Sequence, residues 1–314
     1  MNVVSIGEVL WDVVGQQEHI GGAPFNFAAH VARLGHEVSF VSAVGNDERG
    51  QRILGSMSRM GLSTRFIRQV PEYATGIVTI SLDKDGQPDY VIHRPAAYDV
   101  PELSEEDLTE IFSHPVDWIY FGTLVQTSPA VRRLTQRLLE SGKGSRQFYD
   151  VNLRNGCWQP SLVLELMARA TMVKMNVDEA GVVTQLFGQP LESSSRSLEN
   201  FSRTTANHFG WEGLCITRGP DGCALLLGTE YIESSGYAVQ ALDTVGAGDA
   251  FAAAFLHGVG SGWPANRIAD LANRVAALVA SRPGGVPEWT IAEVEALQGS
   301  DSRPDPYSQH RETA

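Results

Sequence analysis

Strand-like and helix-like segments alternate along this chain, and this alternation constrains its fold more than any other feature. The apolar runs "VVSIGEVLW" and "EVSFVSAVG" are rich in β-branched residues, whereas "APFNFAAHVARLG" between them has apolar residues at helical spacing. The same order returns between residues 117 and 187. Strands joined by crossover helices predict an α/β fold, a doubly wound and mostly parallel sheet covered by helices on both faces.

One region departs from this alternation. The segment "GIVTISLDKDGQPDYVIHRP" contains two strand-like runs around "DKDG", which favours a hairpin and leaves no room for a crossover helix. We therefore predict a small β-sheet lid, formed by about residues 12–20 and 75–98, on a main domain of residues 1–298. The remaining tail, 299–314, is polar and contains proline, so it has little to pack against.

Composition excludes several classes of function. The 314 residues carry a formal net charge of -13, which argues against nucleic acid because its binders need a basic face. Small anions are compatible, because backbone amides and a few local cations can hold them. No apolar run approaches the roughly 20 residues of a membrane span. The N-terminus has no basic segment and the three cysteines form no paired framework. We expect a cytoplasmic protein with free thiols.

The segment "LDTVGAGDAFAAAFLHG", residues 242–258, favours an anion site. The pattern after Gly248 is helical, so 245–249 lies at a helix N-terminus, where free amides and the helix dipole attract an anion. Gly246 and Gly248 would let a phosphoryl oxygen approach the amides, and Asp249 could accept a proton from an attacking hydroxyl. This combination predicts phosphoryl transfer to an alcohol. The alternative is that Asp249 only stabilises the helix start.

The chain lacks two common nucleotide-binding motifs. The chain contains no GxxxxGK[ST] phosphate loop, and no GxGxxG follows its first strand, so a dinucleotide-dependent oxidoreductase loses its main support.

Four motifs together resemble the ribokinase-like (PfkB) family of carbohydrate kinases. They are "GGAPFNFAAHVARLG", "NVDE", "TRGPDG" and "DTVGAGDAF", in the order and spacing of that family up to about residue 295. The stretch "YDVNLRNGCW" is most similar to fructokinases and 2-keto-3-deoxygluconate kinases.

The resemblance implies a catalytic role for one carboxylate and its neighbouring amides. Asp249 would be the catalytic base, and Gly246, Ala247 and Gly248 would form the anion hole. The substrate-binding residues implied or suggested at this stage are Asp12, Gly22, Asn26, Arg94 and Arg154. The alternatives are a strand-end turn for Asp12, a satisfied polar residue on a helix for Asn26 and a surface ion pair for Arg154.

The family likeness also implies sites for ATP, Mg²⁺ and K⁺. Asn176 and Glu179 would order Mg²⁺ and its waters, although the same pair makes a good helix cap. The residues implied beside the adenosine are Thr217, Gly219, Gly222 and Asn273; the first three would also make a hairpin turn without any ligand. The residues implied around K⁺ are Asp243, Val245, Ala280, Pro283 and Gly285.

The expected reaction is ATP-dependent phosphorylation of a sugar, with fructose to fructose 6-phosphate preferred. Ribose, 2-keto-3-deoxygluconate and a nucleoside stay open as acceptors, because "RPAAYDV" replaces the "SADM"-like run common in fructokinases. A catalytically silent sugar-binding regulator is an alternative of another class. The expected partners are sugar and ATP, and a homodimer formed through an exposed lid sheet stays open.

Overall fold

A computed structural model of the protein describes residues 1–82, 88–187 and 195–297. The strands, in chain order, are β1 (Asn2–Ile6), β2 (Leu10–Val14), β3 (Gln17–Gly21), β4 (Glu37–Gly45), β5 (Ile67–Val70), β6 (Gly76–Leu82), β7 (Pro88–Ile92), β8 (Trp118–Gly122), β9 (Arg146–Asp150), β10 (Met172–Asn176), β11 (Gly213–Thr217), β12 (Cys223–Leu227) and β13 (Glu230–Ser234). The helices are α1 (Ala23–Arg33), α2 (Glu48–Arg59), α3 (Glu105–Ile111), α4 (Pro129–Ser141), α5 (Pro160–Arg169), α6 (Val177–Leu186), α7 (Ser195–Phe209), α8 (Ala247–Gly260), α9 (Ala265–Ala280) and α10 (Ile291–Ala296).

The large sheet confirms the predicted fold class. Nine of the described strands follow the order β13-β12-β11-β10-β9-β8-β1-β4-β5. Pairing is parallel from β11 to β5, and β12 and β13 are antiparallel additions at one edge. The carboxyl ends of the parallel strands therefore meet at one edge of the sheet, where α/β proteins bind ligands.

Helices cover both faces of this sheet. Val3 of β1 packs in a core cluster with α1, α8 and α9, whereas the next residue, Val4, packs on the opposite side with α4 to α7. Successive strand residues point to opposite faces, so a strand buried on both sides must be apolar at nearly every position. This requirement explains why "VVSI" and "DWIYFG" read as continuous apolar runs.

The predicted small sheet is also present. Its order is β3-β2-β6-β7, with β2 and β6 parallel and the other pairs antiparallel. The strands predicted around "DKDG" pair as a hairpin; the predicted turn at 83–86 and the predicted tail at 299–314 lie outside the described residues.

The first apolar run differs from the expectation. "VVSIGEVLW" was predicted as one strand, but it is divided between β1 of the large sheet and β2 of the small sheet. Gly7 lies at the division, where a Cβ would collide with the ring of Pro24 at the start of α1. The close approach of α1 requires glycine here, and the chain leaves the large sheet at this point.

Candidate active site

Asp249 lies in the first turn of α8, at the carboxyl edge of the large sheet. The helix begins after Gly246, whose φ of 76° is a left-handed conformation that glycine adopts without strain. Asp249 is 7% exposed, and burial is the largest cause that raises its pKa to about 6. The nearby Lys174 ammonium opposes this shift. A carboxylate with a pKa near neutrality is suited to accept a proton.

The amide groups beside Asp249 are available to an anion. Gly246, Gly248 and Asp249 donate no backbone hydrogen bond to any residue that the structure describes, whereas the amide of Ala247 donates to the Thr244 carbonyl at 3.3 Å. Unpartnered amides at a helix N-terminus favour negative charge. The arrangement can therefore hold an anionic group directly beside the carboxylate.

Asn26 connects α1 to the carboxylate of Asp249. Its Nδ2 donates a 2.9 Å hydrogen bond to Oδ2 of Asp249, and its Oδ1 has no partner among the described residues. The sequence predicted Asn26 as a contact of the sugar. The structure adds a contact with Asp249, which no local pattern indicated.

A buried ion pair lies beside the start of α8. Lys174 Nζ is 3.1 Å from Oδ1 and 3.0 Å from Oδ2 of Asp150, and the hydroxyl of Tyr120 donates to Asp150 Oδ2 at 3.0 Å. Burial alone would lower the pKa of Lys174, but the charges of Asp150, Asp249 and Glu179 outweigh it and the pKa is raised. A Cβ at Gly248 would lie 3.2 Å from Nζ, so the ammonium lies against the anion site.

Two further carboxylates lie on the side of the small sheet. Glu8 follows β1, and burial raises its pKa to about 7; Asp12 lies in β2, and burial raises its pKa to about 6. The charge of Arg154 lowers the pKa of both groups and that of Asp249. Arg154 is exposed, and its guanidinium makes no hydrogen bond or ion pair with any described residue, so it is available to an anion.

Gly22 and Arg94, two of the predicted substrate-binding residues, contact other parts of the protein. A Cβ at Gly22 would collide with the backbone of Glu8, which explains why glycine is needed where α1 starts. The guanidinium of Arg94 forms an ion pair with Asp99 and donates to Leu124 O at 3.0 Å and to Thr127 Oγ1 at 2.6 Å. The substrate roles of both residues stay predictions, and for Arg94 these bonds already occupy most donors.

Asn176 and Glu179 form the helix cap that their spacing predicts. Asn176 Oδ1 accepts from the Glu179 amide, and Glu179 Oε2 accepts from the Asn176 amide, both at 2.8 Å. Glu179 Oε1 accepts from the amide of Leu153 at 2.7 Å. Each oxygen of the Glu179 carboxylate keeps a lone pair. Asn176 and Glu179 therefore fit a hydrated Mg²⁺, held through its waters, better than a directly ligated ion.

The segment 217–222 forms the predicted hairpin turn between β11 and β12. Gly219 and Gly222 have φ angles of 58° and 91°, and a Cβ at Gly222 would collide with the carbonyl of Ser234. Asn273 on α9 is buried and donates to Ser234 Oγ at 3.2 Å and to Ser235 O at 3.1 Å. Asn273 therefore fixes the chain after β13 beside this turn, and its contact with a nucleotide stays a prediction.

The residues implied for K⁺ lie on two adjoining loops that Asp243 joins. Its carboxylate accepts from the amides of Val245 and Gly284, both at 2.9 Å. The carbonyl of Ala280 accepts from the amides of Leu242 and Asp243, at 2.9 and 3.2 Å.

His30 forms a hydrogen bond with the carbonyl of Gly285, another of the oxygen ligands implied for K⁺. Trp289 Nε1 donates to His30 Nδ1 at 3.1 Å, so His30 Nε2 carries the proton that bonds to Gly285 O at 3.0 Å. The carbonyls of Val245 and Pro283 accept no hydrogen bond from any described residue. With the Asp243 carboxylate, they are oxygen donors that fit a monovalent cation, whereas the carbonyls of Ala280 and Gly285 are already engaged.

Sequence reasoning missed Glu8, Lys174 and Tyr98 as residues near this site. Glu8 and Lys174 each interrupt an apolar run, "VVSIGEVLW" and "ATMVKMN", that was read only as a strand. A charged residue inside a buried strand needs a partner or a function, and that rule was the available signal. Tyr98, within "RPAAYDV", is uncharged, so this rule gives no signal for it.

No helix in the described parts of the chain is both long and apolar enough to cross a membrane. Within those same parts, no group of three or more His, Cys, Asp or Glu side chains is arranged to hold a metal ion.

Known proteins of similar sequence and structure are sugar kinases. Residues 2–291 match the pfkB family of carbohydrate kinases. An uncharacterized sugar kinase from Pyrococcus horikoshii is 30% identical over 315 residues, with 94% of each chain covered, and its crystal structure with ATP superposes with a TM-score of 0.75. That superposition covers 90% of this chain and 93% of the other.

Two fructokinases are also similar. The fructokinase of Salmonella typhimurium is 29% identical over 244 residues, which cover 75% of each chain. A double mutant of Vibrio cholerae fructokinase, with fructose, ADP and potassium ion bound, gives a TM-score of 0.78 at 22% identity and covers 94% of this chain and 97% of the other. At that identity the second likeness shows the fold alone.

Proposed function

The chain belongs to the pfkB family of carbohydrate kinases, phosphotransferases that act on a sugar hydroxyl, and we propose that it transfers the γ-phosphoryl group of ATP to fructose, giving fructose 6-phosphate. One observation carries the proposal: Asp249, with its pKa raised to about 6, lies beside three amide groups that have no partner among the described residues.

The residues have distinct roles in the proposed reaction. Asp249 accepts the proton of the sugar hydroxyl as the hydroxyl oxygen attacks the γ-phosphorus. The amides of Gly246, Gly248 and Asp249 donate to the oxygens of the transferring group, where charge develops. Asn26 holds Asp249 in orientation, and the buried Lys174 provides a positive charge beside the anion site.

Nucleotide and metal are held on the other side of the anion site. The hairpin at 217–222 and Asn273 border the adenosine, and Arg154 pairs with phosphate oxygens. Mg²⁺, when bound, neutralises charge on the phosphates, and Asn176 and Glu179 hold its waters. The small sheet closes over the sugar and excludes water that would otherwise hydrolyse ATP. A monovalent cation held by Asp243 with the carbonyls of Val245 and Pro283 would shape the anion hole.

Fructose is preferred because the "YDVNLRNGCW" stretch and the Salmonella relative both favour it. Ribose, 2-keto-3-deoxygluconate and nucleosides follow as alternative acceptors. A sugar-binding regulator without activity is the alternative of another class, and an intact base beside free amides argues against it.

An ADP-release screen over a panel of sugars and nucleosides, with and without K⁺, tests the proposal. We expect sugar-dependent ADP release that is highest with fructose. Tight sugar binding with no ADP above the rate of the Asp249→Ala variant would support the regulator instead. Equal rates with and without K⁺ would remove the monovalent cation from the proposal.

A further inference from the structure

Three buried side-chain oxygen atoms around the start of α1 and the small sheet lack a hydrogen-bond partner. They are Glu8 Oε2, Asn26 Oδ1 and Tyr98 Oη, and none of the described residues supplies a partner for them. Buried polar atoms are nearly always paired in folded proteins, so each unpaired atom needs an explanation. A bound ligand rich in hydroxyl groups would explain all three together.

The three atoms belong to one locality. Asn26 bonds to Asp249 through its side chain and to Gly22 through its backbone amide, and Gly22 packs against the backbone of Glu8. Leu10, two residues after Glu8, pairs with Gly76 of the small sheet. Tyr98 lies where the small sheet joins the core, because a Cβ at Gly76, the first residue of β6, would collide with its ring. The unpaired atoms therefore lie around the start of α1 and the small sheet, on the side where the proposed function places the sugar.

The charges in this region are unbalanced. Glu8, Asp12 and Asp249 are three carboxyl groups, and in each of them burial is the largest cause of the raised pKa. Arg154 is the cation whose charge lowers the pKa of all three groups. Arg94 cannot serve as a second free cation without losing its ion pair with Asp99. Negative charge is already costly here, and an anionic substrate would add to it.

We propose that Glu8 and Tyr98 determine acceptor specificity by binding sugar hydroxyl groups, and that the acceptor is an uncharged polyol and not a sugar that carries a carboxylate or a phosphate. The inference rests on the proposed function, since it concerns the acceptor of that reaction. The Glu8 carboxyl accepts from a sugar hydroxyl and the Tyr98 hydroxyl donates to a sugar oxygen, which satisfies both unpaired atoms. A sugar carboxylate or phosphate in this position would meet Glu8 and Asp12 with like charge.

Calorimetric titration of the full-length chain with fructose, ribose, 2-keto-3-deoxygluconate and fructose 6-phosphate tests the inference without turnover. We expect at least one neutral sugar to bind about a hundredfold more tightly than either anion, a difference typical of an unpaired or repelled polar group in a binding site. Anions that bind as tightly as the neutral sugars, or no binding of any neutral sugar, would overturn the inference. Selective binding of neutral sugars without ADP release would contradict the proposed function and leave the inference standing.

Variants of Tyr98 and Glu8 test the residues themselves. Tyr98→Phe is expected to weaken neutral-sugar binding about tenfold, because one hydrogen bond to the sugar is lost. Tyr149→Phe is the matched control, since Tyr149 is equally buried and its hydroxyl bonds to Thr123 at 2.6 Å. At pH 8, where Glu8 is ionised, Glu8→Gln removes one negative charge and is expected to narrow the preference for neutral over anionic sugars about fivefold. Equal sugar affinity in the two tyrosine variants, or an unchanged preference in Glu8→Gln, would assign specificity to other residues.

Discussion

The side-chain amide of Asn26 donates a 2.9 Å hydrogen bond to the carboxylate of Asp249, a residue 223 positions away in the sequence. This contact lowers the pKa of Asp249 against the effect of burial. It also orients the carboxylate at the start of α8, where the amides are free to receive an anion. The first prediction follows from this contact.

Asn26→Ala should reduce kcat/KM about tenfold to a hundredfold, because a hydrogen bond to a charged group contributes roughly 1.5–3 kcal/mol. The loss should be accompanied by a shift of the acid limb of the pH profile to higher pH, since the carboxylate loses a donor that favours its charged form. Asn2→Ala is the control, because the Nδ2 of this asparagine donates to Pro115 O at 2.9 Å, at the amino end of β1 and away from the site. An acid limb at the same pH in Asn26→Ala and wild type would contradict the role.

Wild-type activity should fall at acidic pH, because the proposed base must be ionised. Asp249 must be ionised to accept a proton, and burial raises its pKa to about 6. As pH falls through that value the base becomes protonated, so kcat/KM should fall about tenfold per pH unit below it. Initial rates between pH 4.5 and 8.5, with a stability check at each pH, measure this. A flat profile between pH 5 and 7 would argue against Asp249 as the base.

Lys174→Met should destabilise the fold by about 3–5 kcal/mol, because it leaves the buried Asp150 carboxylate without its counter-ion. Replacing Asp150 as well, in the double variant with Asp150→Asn, removes the uncompensated charge and should recover part of that loss. Urea unfolding of the two single variants and the double variant provides the comparison. A double variant no more stable than Lys174→Met would show that the ion pair is not the source of the effect.

Glu8→Gln should raise the melting temperature at pH 8 and change it little at pH 4.5. Burial raises the pKa of Glu8 from its ordinary 4.5 to about 7 in the folded state. The unfolded chain therefore releases this proton more readily, and wild-type stability falls as pH rises from about 4.5 to 7. The glutamine carries no charge at either pH, so its advantage grows with pH. A melting-temperature difference that does not change with pH would contradict this account of Glu8.

Much of the fold could be predicted because its signal is local. The apolar run "EVSFVSAVG" became β4 with the same bounds, Glu37–Gly45, since a strand buried by helices has few tolerated polar positions. The start of α8 could be predicted for a similar reason. Gly246, Gly248 and Asp249 are neighbours in the chain, so their spacing alone indicates a helix start that an anion can approach.

Contacts between distant segments could not be predicted in this way. The Asn26 contact with Asp249 and the Lys174 pair with Asp150 depend on how α1, α8 and the strands meet, which periodicity does not specify. Glu8 Oε2 and Tyr98 Oη are unusual only because they are buried without a partner among the described residues, a property of the packed structure. The cap at Asn176 and Glu179 was predictable because both partners lie within one helical turn.

The most direct test of the account replaces the carboxylate of Asp249 by its isosteric amide and follows ADP release with ATP and fructose. Asp249→Asn keeps the shape of the side chain but cannot accept the hydroxyl proton, so kcat should fall by about a thousandfold or more while the protein still melts cooperatively and binds ATP. A variant that binds ATP and retains activity within tenfold of wild type would show that Asp249 is not the base, and the proposed mechanism would be wrong.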